Sequence, residues 1–594
     1  MIKNYFKTAL RSILKNRSTS IVNIVGLSVG MTAAVLILLW VQNETSFDNY
    51  HKENSTIYRL TTRIPEYGLV LENTPLLLAQ AIINEVPEIE KVTRLYTGNW
   101  PVFNIRQNLF YAKDCAYVDN DWFSIFKYDF LEGNSVSFNE NPFSVILTRS
   151  EAQKYFGDKN AVGQTMRIDT MNYRVHGVVA DAPINSSFQY KLFIPVAALL
   201  TNQKIRENDE QWNNSNYITF IKTVPGISPD KIEKKITDVV IRKTNDKGAA
   251  PISMISLDKM HFETEIQNSS FVHGNRNTVY IFSLLGFLLL LIACINYINL
   301  TTAKASLRAK EVSIRKMTGA SRYHLFFQFI AESVLLSLLA LMATLVLVYL
   351  CMPAFNELTQ RAFELPSPAL WQVMGITLFS SLLLNSIYPA MVLSSFKPLN
   401  VARGVTLLKV KDSVFRKGLV VLQFTVSVIL IAGTIVIYNQ MRFIQKTDPG
   451  YNRSQVLSFA IPPSVDRQKR EGIMLAMKHE LLAQSSIEKV ATSNQPVVNI
   501  GSMCTECADW TGRDAKFNPK IVQLSADADF QQTMQLQMKE GRWFSDGEGA
   551  PRVGFVLNET AVKDFKLTEP VIGQLFVFKG DTGQVIGVVK DFYY

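Results

Sequence analysis

The sequence predicts an integral membrane α-helical protein with five spans, carrying two mixed α+β extracytoplasmic domains. Three observations lead there: five apolar blocks of spanning length, a sharp bias in where the basic residues fall, and a segment that returns 410 residues later in the chain.

At 594 residues the chain has room for several domains. Its hydrophobic content is 47%, yet its mean hydropathy is near zero, because the apolar residues are gathered rather than spread. They form blocks at 20–41, 279–303, 325–350, 370–393 and 419–438, each close to the ~20 residues that cross a bilayer. A basic segment precedes the first block, as in a secretory signal. Its apolar core is too long for one, and "WVQNETS" offers no small-x-small cleavage site, so it reads as an uncleaved anchor.

Basic residues set the orientation. Residues 1–19 hold five bases (Lys3, Lys7, Arg11, Lys15, Arg17) and no acid. Residues 304–322 hold six against Glu311, and residues 395–418 hold six against Asp412. The 351–369 connection has only Arg361, offset by Glu357 and Glu364. The net charge of the whole chain is +10, less than these three segments carry together, so the remainder is acidic. The three basic segments are therefore placed in the cytoplasm, and the two large polar regions outside. The basic balance reflects topology and does not point to nucleic acid.

The resulting plan is a cytoplasmic amphipathic helix (1–19), a first span (20–41), a first outside domain (42–278), a second span (279–303), a cytoplasmic connection (304–322), third and fourth spans (325–350, 370–393), a cytoplasmic linker (395–418), a fifth span (419–438) and a second outside domain (439–594). The outside regions read as mixed α and β. "SVILT", "YRVHGVV", "VGFVLN" and "GQVIGVV" are short strands punctuated by glycine. "SEAQKYFG" and "NETAVKDF" read as short capped helices, and 76–92 as a helical stretch ending at Pro87. Trp100, Trp122 and Trp212 are expected in cores.

The two outside domains are copies. "SVILTRSEAQKYFGDKNAVGQTMRIDTMNYRVHGVVAD" (144–181) returns as "GFVLNETAVKDFKLTEPVIGQLFVFKGDTGQVIGVVKD" (554–591), matching Leu147 with Leu557, Tyr155 with Phe565, Gly163 with Gly573 and Asp181 with Asp591. A period this long marks a duplicated module and not a solenoid. If the second copy repeated the first in full, the parent would have about 800 residues and eight spans, and this chain would be one part of it.

Two cytoplasmic segments show more order than topology needs. In residues 1–16, Lys3, Lys7, Arg11 and Lys15 recur every fourth position beside Ile2, Phe6, Leu10 and Leu14. That pattern suits a helix lying in the inner headgroup region, although the same charges also serve topology. In 303–322, Arg308, Glu311 and Arg315 are spaced to pair along a helix. Gly319 is placed to end that helix, and Ser321 to cap the next.

"LRAKEVSIRKMTGASRYHLFFQFIAES" resembles the segment after the second span of MacB/FtsX-type ABC transporter permeases, where R-x-x-E-[IV]-x-I-R-K-x-x-G-A recurs. "FKTALRSILKNRSTSIVNIVGLSVG" (6–30) is similar to the family's N-terminal helix and first span, and "YPAMVLSSFKPLNVARG" (388–404) to its exit from the fourth. The duplicated plan resembles the family's double-length, eight-span members. The resemblance implies a permease subunit whose short cytoplasmic helix, here Arg308 to Ala320, docks on a partner ABC ATPase. Arg308, Glu311, Arg315 and Lys316 would be the contacts, with Gly319 and Ala320 closing the helix. It implies a cargo such as an antimicrobial peptide, drug or lipoprotein, expelled or extracted beyond a bacterial inner membrane. Membrane lipids, a second permease copy and a periplasmic adaptor are the further partners it implies. No G-x-x-x-x-G-K-[ST] phosphate loop occurs, so ATP would be bound by the partner and no cofactor is expected here.

Glu332, an ionisable residue inside the third span, is a functional candidate by position. It reads either as a relay for protons or substrate, or as a partner for Arg322 or the docking helix. Gly26 and Gly30 permit a close helix contact. Cys504 and Cys507 form one C-x-x-C without a second pair, which favours a local disulfide or an incidental pair over metal or redox chemistry. The six histidines are scattered, and no catalytic or metal-spaced cluster emerges. An alternative to transport stays open: an envelope sensor or scaffold that activates an outside partner, since the spans show few polar residues and no evident aqueous path.

Overall fold

The computed structural model describes the chain apart from residues 1, 52, 66–67, 99–100, 106–107, 113, 170, 247–248, 267–268, 304–311, 395–409, 462–466, 499, 501, 506, 515–516, 546–553 and 594. Two compact units result, Met1–Ile435 and Val436–Tyr594. Trp100, Arg308 and Glu311 lie outside the described residues.

The first unit opens with helices α1 (Ile2–Lys15) and α2 (Arg17–Thr45), which meet at Asn16. Its polar region is a mixed sheet. The principal strands are β1 (Ile57–Ile64), β2 (Ile89–Tyr96), β3 (Val102–Ile105), β4 (Cys115–Val118), β5 (Phe130–Gly133), β6 (Ser144–Thr148), β7 (Thr165–Ile168), β8 (Met171–Val179), β9 (Leu192–Pro195), β10 (Ser215–Thr223) and β11 (Ile252–Ser256). They run in the order β11-β1-β10-β2-β4-β9-β6-β8-β7-β3, with β5 added on β8. Strand β6 is buried along its whole length, as expected of an apolar run paired on both edges. Helices α3 (Leu76–Glu85), α4 (Arg149–Phe156) and α5 (Pro229–Thr244) pack on this frame.

The helix expected to end at Pro87 does so: α3 stops at Glu85 with Val86 as its cap, and Ile89 already belongs to β2. Pro87 disfavours helical geometry at the residue before it, and Val86 is extended (φ −119°, ψ 93°). Beyond that break, pairing of β2 with β10 decides the conformation. Trp122 is buried, and Trp212 packs against the core of α3 and α5.

Four long helices follow: α6 (Arg276–Ala303), α7 (Arg322–Thr359), α8 (Pro368–Ser394) and α9 (Val410–Lys446). With α2 they make, among the described residues, five helices long and apolar enough to cross a membrane. Helix α7, at 38 residues, is much longer than its apolar block. At 1.5 Å per residue it exceeds the ~30 Å of a hydrocarbon core, so its ends carry polar work as well. Helices α2, α6, α7 and α8 share an interior of Leu27, Met31, Ala34, Leu290, Ala293, Cys294 and Ala340. A Cβ on Gly30 would collide with Ala293, so this glycine of G-x-x-x-G sets how closely α2 and α6 approach.

The second unit contains β12 (Ala508–Trp510), β13 (Met538–Gly541), β14 (Gly554–Asn558), α10 (Glu559–Asp564), β15 (Leu575–Phe578) and β16 (Asp581–Val589), with strand order β12-β15-β16-β13 and β14 on β16. Cys504 and Cys507 form a disulfide.

The repeat seen in sequence is a repeat in structure down to its irregularities. Parallel pair β6/β8 places Val145 on Val175, then skips to Ile146 on Gly177. Pair β14/β16 places Phe555 on Val585, then skips to Val556 on Gly587. In both copies the equivalent glycine bonds back across the turn, Gly163 to Val175 and Gly573 to Val585, each at 2.8 Å. Asp181 accepts from the Ser150 amide (3.2 Å) and hydroxyl (2.5 Å), and Asp591 from the Thr560 amide (3.0 Å) and hydroxyl (2.7 Å). The two short helices begin differently: Asn558 caps α10 by accepting from Ala561 (3.1 Å), whereas Thr148 at the head of α4 makes no side-chain cap.

Candidate functional site

Two clusters lie at opposite ends of the helices of the first unit. The first joins the basic segments. Residues 312–317 are helical and end at Gly319, whose φ is +99° with no atom within 4 Å of where a Cβ would stand. The Ala320 amide donates to the Arg315 carbonyl at 2.9 Å, and the Gly319 amide to Lys316 at 3.1 Å. This 6→1 and 5→2 pair is a Schellman stop, which requires the left-handed residue that glycine supplies most cheaply. Ser321 then caps α7, its hydroxyl accepting from the His324 amide at 3.2 Å. Two consecutive caps make a corner with no slack.

Side chains bind that corner to its neighbours. Arg315 Nη1 donates to Gln328 Oε1 on α7 at 2.7 Å, and Lys316 Nζ donates to the Ser394 carbonyl at 2.7 Å. Ser394 is the last described residue of α8, so this bond ties the corner to that helix. Partial burial, then the nearby Arg322, hold the Lys316 ammonium below its usual pKa. Val312 and Ser313 are buried, while Ile314 is 58% and Met317 70% exposed. Two of the four expected contact residues, Arg315 and Lys316, are thus engaged within the chain, and an apolar pair shows outward.

Glu332, ten residues into α7, accepts from the Ser12 hydroxyl of α1 at 3.0 Å. At the next residue of α7, Tyr297 on α6 donates to the Ser333 hydroxyl at 3.0 Å. The packed face of α1 is Ala9 and Ile13, the latter joined to Tyr297, Ile298 and Leu336.

The second cluster lies where α2, the polar domain and the α7–α8 connection meet. Glu44, buried in the last turn of α2, contacts His261 Nε2 at 2.8 Å and Arg361 Nη2 at 3.5 Å. Phe47 is sandwiched by the same two partners, stacked on His261 (3.6 Å, 7°) with the Arg361 guanidinium 5.1 Å from its centroid. Gly274 passes so close that a Cβ would stand 2.8 Å from Glu44 Oε2. Beyond it, Asp48 accepts from the Ser187 amide (2.8 Å) and hydroxyl (2.6 Å), and Asn185 donates to the Ser46 carbonyl at 2.9 Å. Burial raises the Asp48 carboxyl to about 6 despite those bonds. His51 accepts from the Lys127 amide at 3.0 Å, and burial, then Lys127, lower its pKa to about 3, so it is neutral.

Sequence reasoning found the corner at Gly319 but not Ser12, Gln328, Ser394, Glu44 or His261. Two signals were present: Glu44 is the first acid in the chain and ends an apolar block, and Arg361 is the lone base of its connection. Among the described residues no group of three or more His, Cys, Asp or Glu is arranged to hold a metal ion.

Comparisons with known proteins agree with this architecture. Residues 20–239 match the model of the MacB-like periplasmic core domain, and residues 283–398 that of the FtsX-like permease C-terminal region. Neither model is an ATPase domain. The macrolide export ATP-binding/permease protein MacB of Salmonella typhi is 23% identical over 283 residues, which is 46% of this chain and 40% of that protein. Its counterpart in Haemophilus ducreyi is 24% identical over 229 residues, 37% of this chain and 30% of that one. The chain thus matches less than half the length of these curated relatives. Among solved structures, the periplasmic region of MacB from Actinobacillus actinomycetemcomitans is 14% identical over 35% of this chain and 91% of that one, with a TM-score of 0.27. The extracellular domain of the noncanonic ABC-type transporter YknZ from Gram-positive bacteria is 12% identical over 34% and 99%, also at 0.27. Scores so low carry no argument, and the assignment rests on the two family models with the sequence relatives. The chain belongs to the MacB/FtsX-type ABC transporter permeases.

Proposed function

We propose that this chain is a permease subunit that couples ATP hydrolysis by a separate ABC ATPase to motion of its extracytoplasmic domains. In this reading it sits in a bacterial inner membrane with its N-terminus in the cytoplasm, and acts on an amphiphilic substrate such as a drug, an antimicrobial peptide or a lipoprotein. A second permease copy and a periplasmic adaptor complete the assembly, and ATP is bound by the partner alone.

The observation that carries the proposal is the corner at 312–321. A segment that merely connected two spans would have no need of a Schellman stop, a serine cap and two side-chain ties. Push on this segment and the push reaches α7 through Gln328 and α8 through Ser394. Ile314 and Met317 are the exposed surface for an ATPase groove, with Arg315 and Lys316 as charged contacts or as ties; Arg308 and Glu311, outside the described residues, are the further contacts the resemblance implies.

Co-purification with a cytosolic ABC ATPase tests the docking. Met317→Asp should reduce association at least tenfold with the fold intact. Arg315→Glu combined with Lys316→Glu should reduce it as well. Unchanged association in both variants would sink the assignment.

A second reading keeps the same motor but moves no cargo: a scaffold that activates a partner outside the membrane. It is favoured by the apolar cluster that Leu27, Met31, Ala34, Leu290, Ala293, Cys294 and Ala340 form between α2, α6 and α7, although the same helices also bury Ser337 and Thr344. Reconstituted vesicles with trapped dyes or peptides distinguish the two, since only a transporter changes their content when ATP is supplied.

A further inference from the structure

Helix α1 has three faces, and only one is covered by protein. On a helix, positions 9 and 13 form one stripe, positions 6, 10 and 14 a second about 80° away, and positions 7, 11 and 15 a third about 100° further round. The first stripe is packed: Ala9 is 1% and Ile13 8% exposed, and Ser12 beside them bonds Glu332 of α7. The second is apolar and open, with Phe6 at 40%, Leu10 at 50% and Leu14 at 55% exposure. The third carries Lys7, Arg11 and Lys15, all exposed, with Arg17 exposed just beyond.

No acid occurs before Glu44, so nothing on α1 or α2 near this stripe can neutralise it. Across the helix, the acid facing α1 from α7 is Glu332, which lies on the packed side. The basic stripe therefore points away from the protein with an apolar stripe between. That order suits a helix at a charged lipid surface, with its apolar side among the acyl chains and its bases among phosphates.

We propose that α1 is a binding surface for anionic phospholipid headgroups, and that the Ser12–Glu332 contact passes its seating on to α7. The proposal rests on the membrane-spanning reading of the apolar helices but not on transport or on any ATPase. Ser12 and Glu332 join α1 to the helix whose first residues form the corner at Gly319. The charge of the inner leaflet would thereby set how firmly that corner is held.

The test uses the full chain in nanodiscs, either of phosphatidylcholine or of an equimolar mixture with phosphatidylglycerol, with hydrogen exchange of residues 5–15 as the readout. Three bases near an anionic surface should slow exchange on the order of a hundredfold in the mixture, an effect that shrinks in high salt. Lys7→Gln, Arg11→Gln and Lys15→Gln together should abolish the difference while leaving the Ala9–Ile13 face packed. Ser12→Ala should keep the slowing in α1 but remove the accompanying slowing at 322–332. Equal exchange in the two lipids would overturn the proposal, whether the helix is open in both or protected in both. Full slowing in the triple variant would overturn it too. Because no ATPase is present, failure here leaves the docking assignment standing, and failure of docking leaves this result readable.

Discussion

Glu44 and His261 meet at 2.8 Å, 217 residues apart in sequence, and bind the C-terminal end of α2 to the stretch of polar domain that precedes α6. Arg361, from the α7–α8 connection, reaches the other carboxylate oxygen at 3.5 Å. Three segments are therefore held by one carboxylate and one phenyl ring, Phe47. If the helices move relative to the polar domain, this joint, with the Asp48–Ser187 and Asn185–Ser46 bonds beside it, must carry or release the motion.

Removing the carboxylate should be costly. Glu44→Ala leaves His261 and Arg361 facing each other without their shared partner, and loss of one member of a buried pair costs about 3 kcal/mol. Arg361→Gln should cost no more than about 1 kcal/mol, since that residue is partly exposed. Unfolding of the purified chain in detergent measures both, and the double variant gives their coupling. A Glu44→Ala change of less than about 0.5 kcal/mol would show the joint to be ornamental.

Gly319 should not tolerate a side chain, although nothing crowds it. The objection is conformational: at φ +99° an L-residue pays about 1–2 kcal/mol. Gly319→Val is expected to fray 312–320, seen as faster hydrogen exchange there with the polar domain unaffected. Asn, which enters left-handed conformations more readily, should restore part of the protection.

The two copies of the duplicated module make a paired prediction. Gly133 and Gly541 have φ of +68° and +70°, and a Cβ on either would strike a carbonyl, that of His176 or of Ile586. Alanine at either position should destabilise its own module by about 2 kcal/mol or more, since strain and collision add. Limited proteolysis of each unit reads the two effects separately. A mild effect at one site only would break the equivalence of the copies.

Asp48 and His51 should make the connector after α2 sensitive to pH in opposite directions. Asp48, with its pKa raised to about 6, binds its proton more tightly folded than unfolded, so its contribution is full below pH 3.8 and is lost as pH rises through 6. At about 1.4 kcal/mol per unit the loss is near 3 kcal/mol, an upper figure. His51, lowered to about 3, is held neutral when folded, so stability falls as pH drops below 6.5 towards 3. Asp48→Asn keeps a residue suited to its left-handed backbone (φ 57°) and should flatten the first trend alone. Unfolding midpoints of both proteins between pH 4 and 7 check this, and parallel curves would refute it.

What could be read without coordinates follows the range of the forces involved. Apolar blocks, basic flanks, the Gly319 stop, the Ser321 cap and the duplicated module are each written in contiguous residues, because hydrophobic length, caps and strand alternation are local properties. The split of 76–92 marks the edge of that legibility. Pro87 announced a stop, but whether Ile89–Val92 continued as helix or strand was decided by pairing with β10.

The sequence by itself determined the class of the protein: membrane-length helices, two copies of one mixed domain, and a capped basic segment between two of those helices. Only the tertiary structure decided which charges matter and to whom they belong. Lys316 turned out to reach the Ser394 carbonyl of α8, Glu332 to receive Ser12, and Glu44 to gather His261 and Arg361. Each of these partners lies tens to hundreds of residues away. Desolvation makes a buried charge depend on the particular group that folding brings beside it, and no spacing along the chain encodes that group.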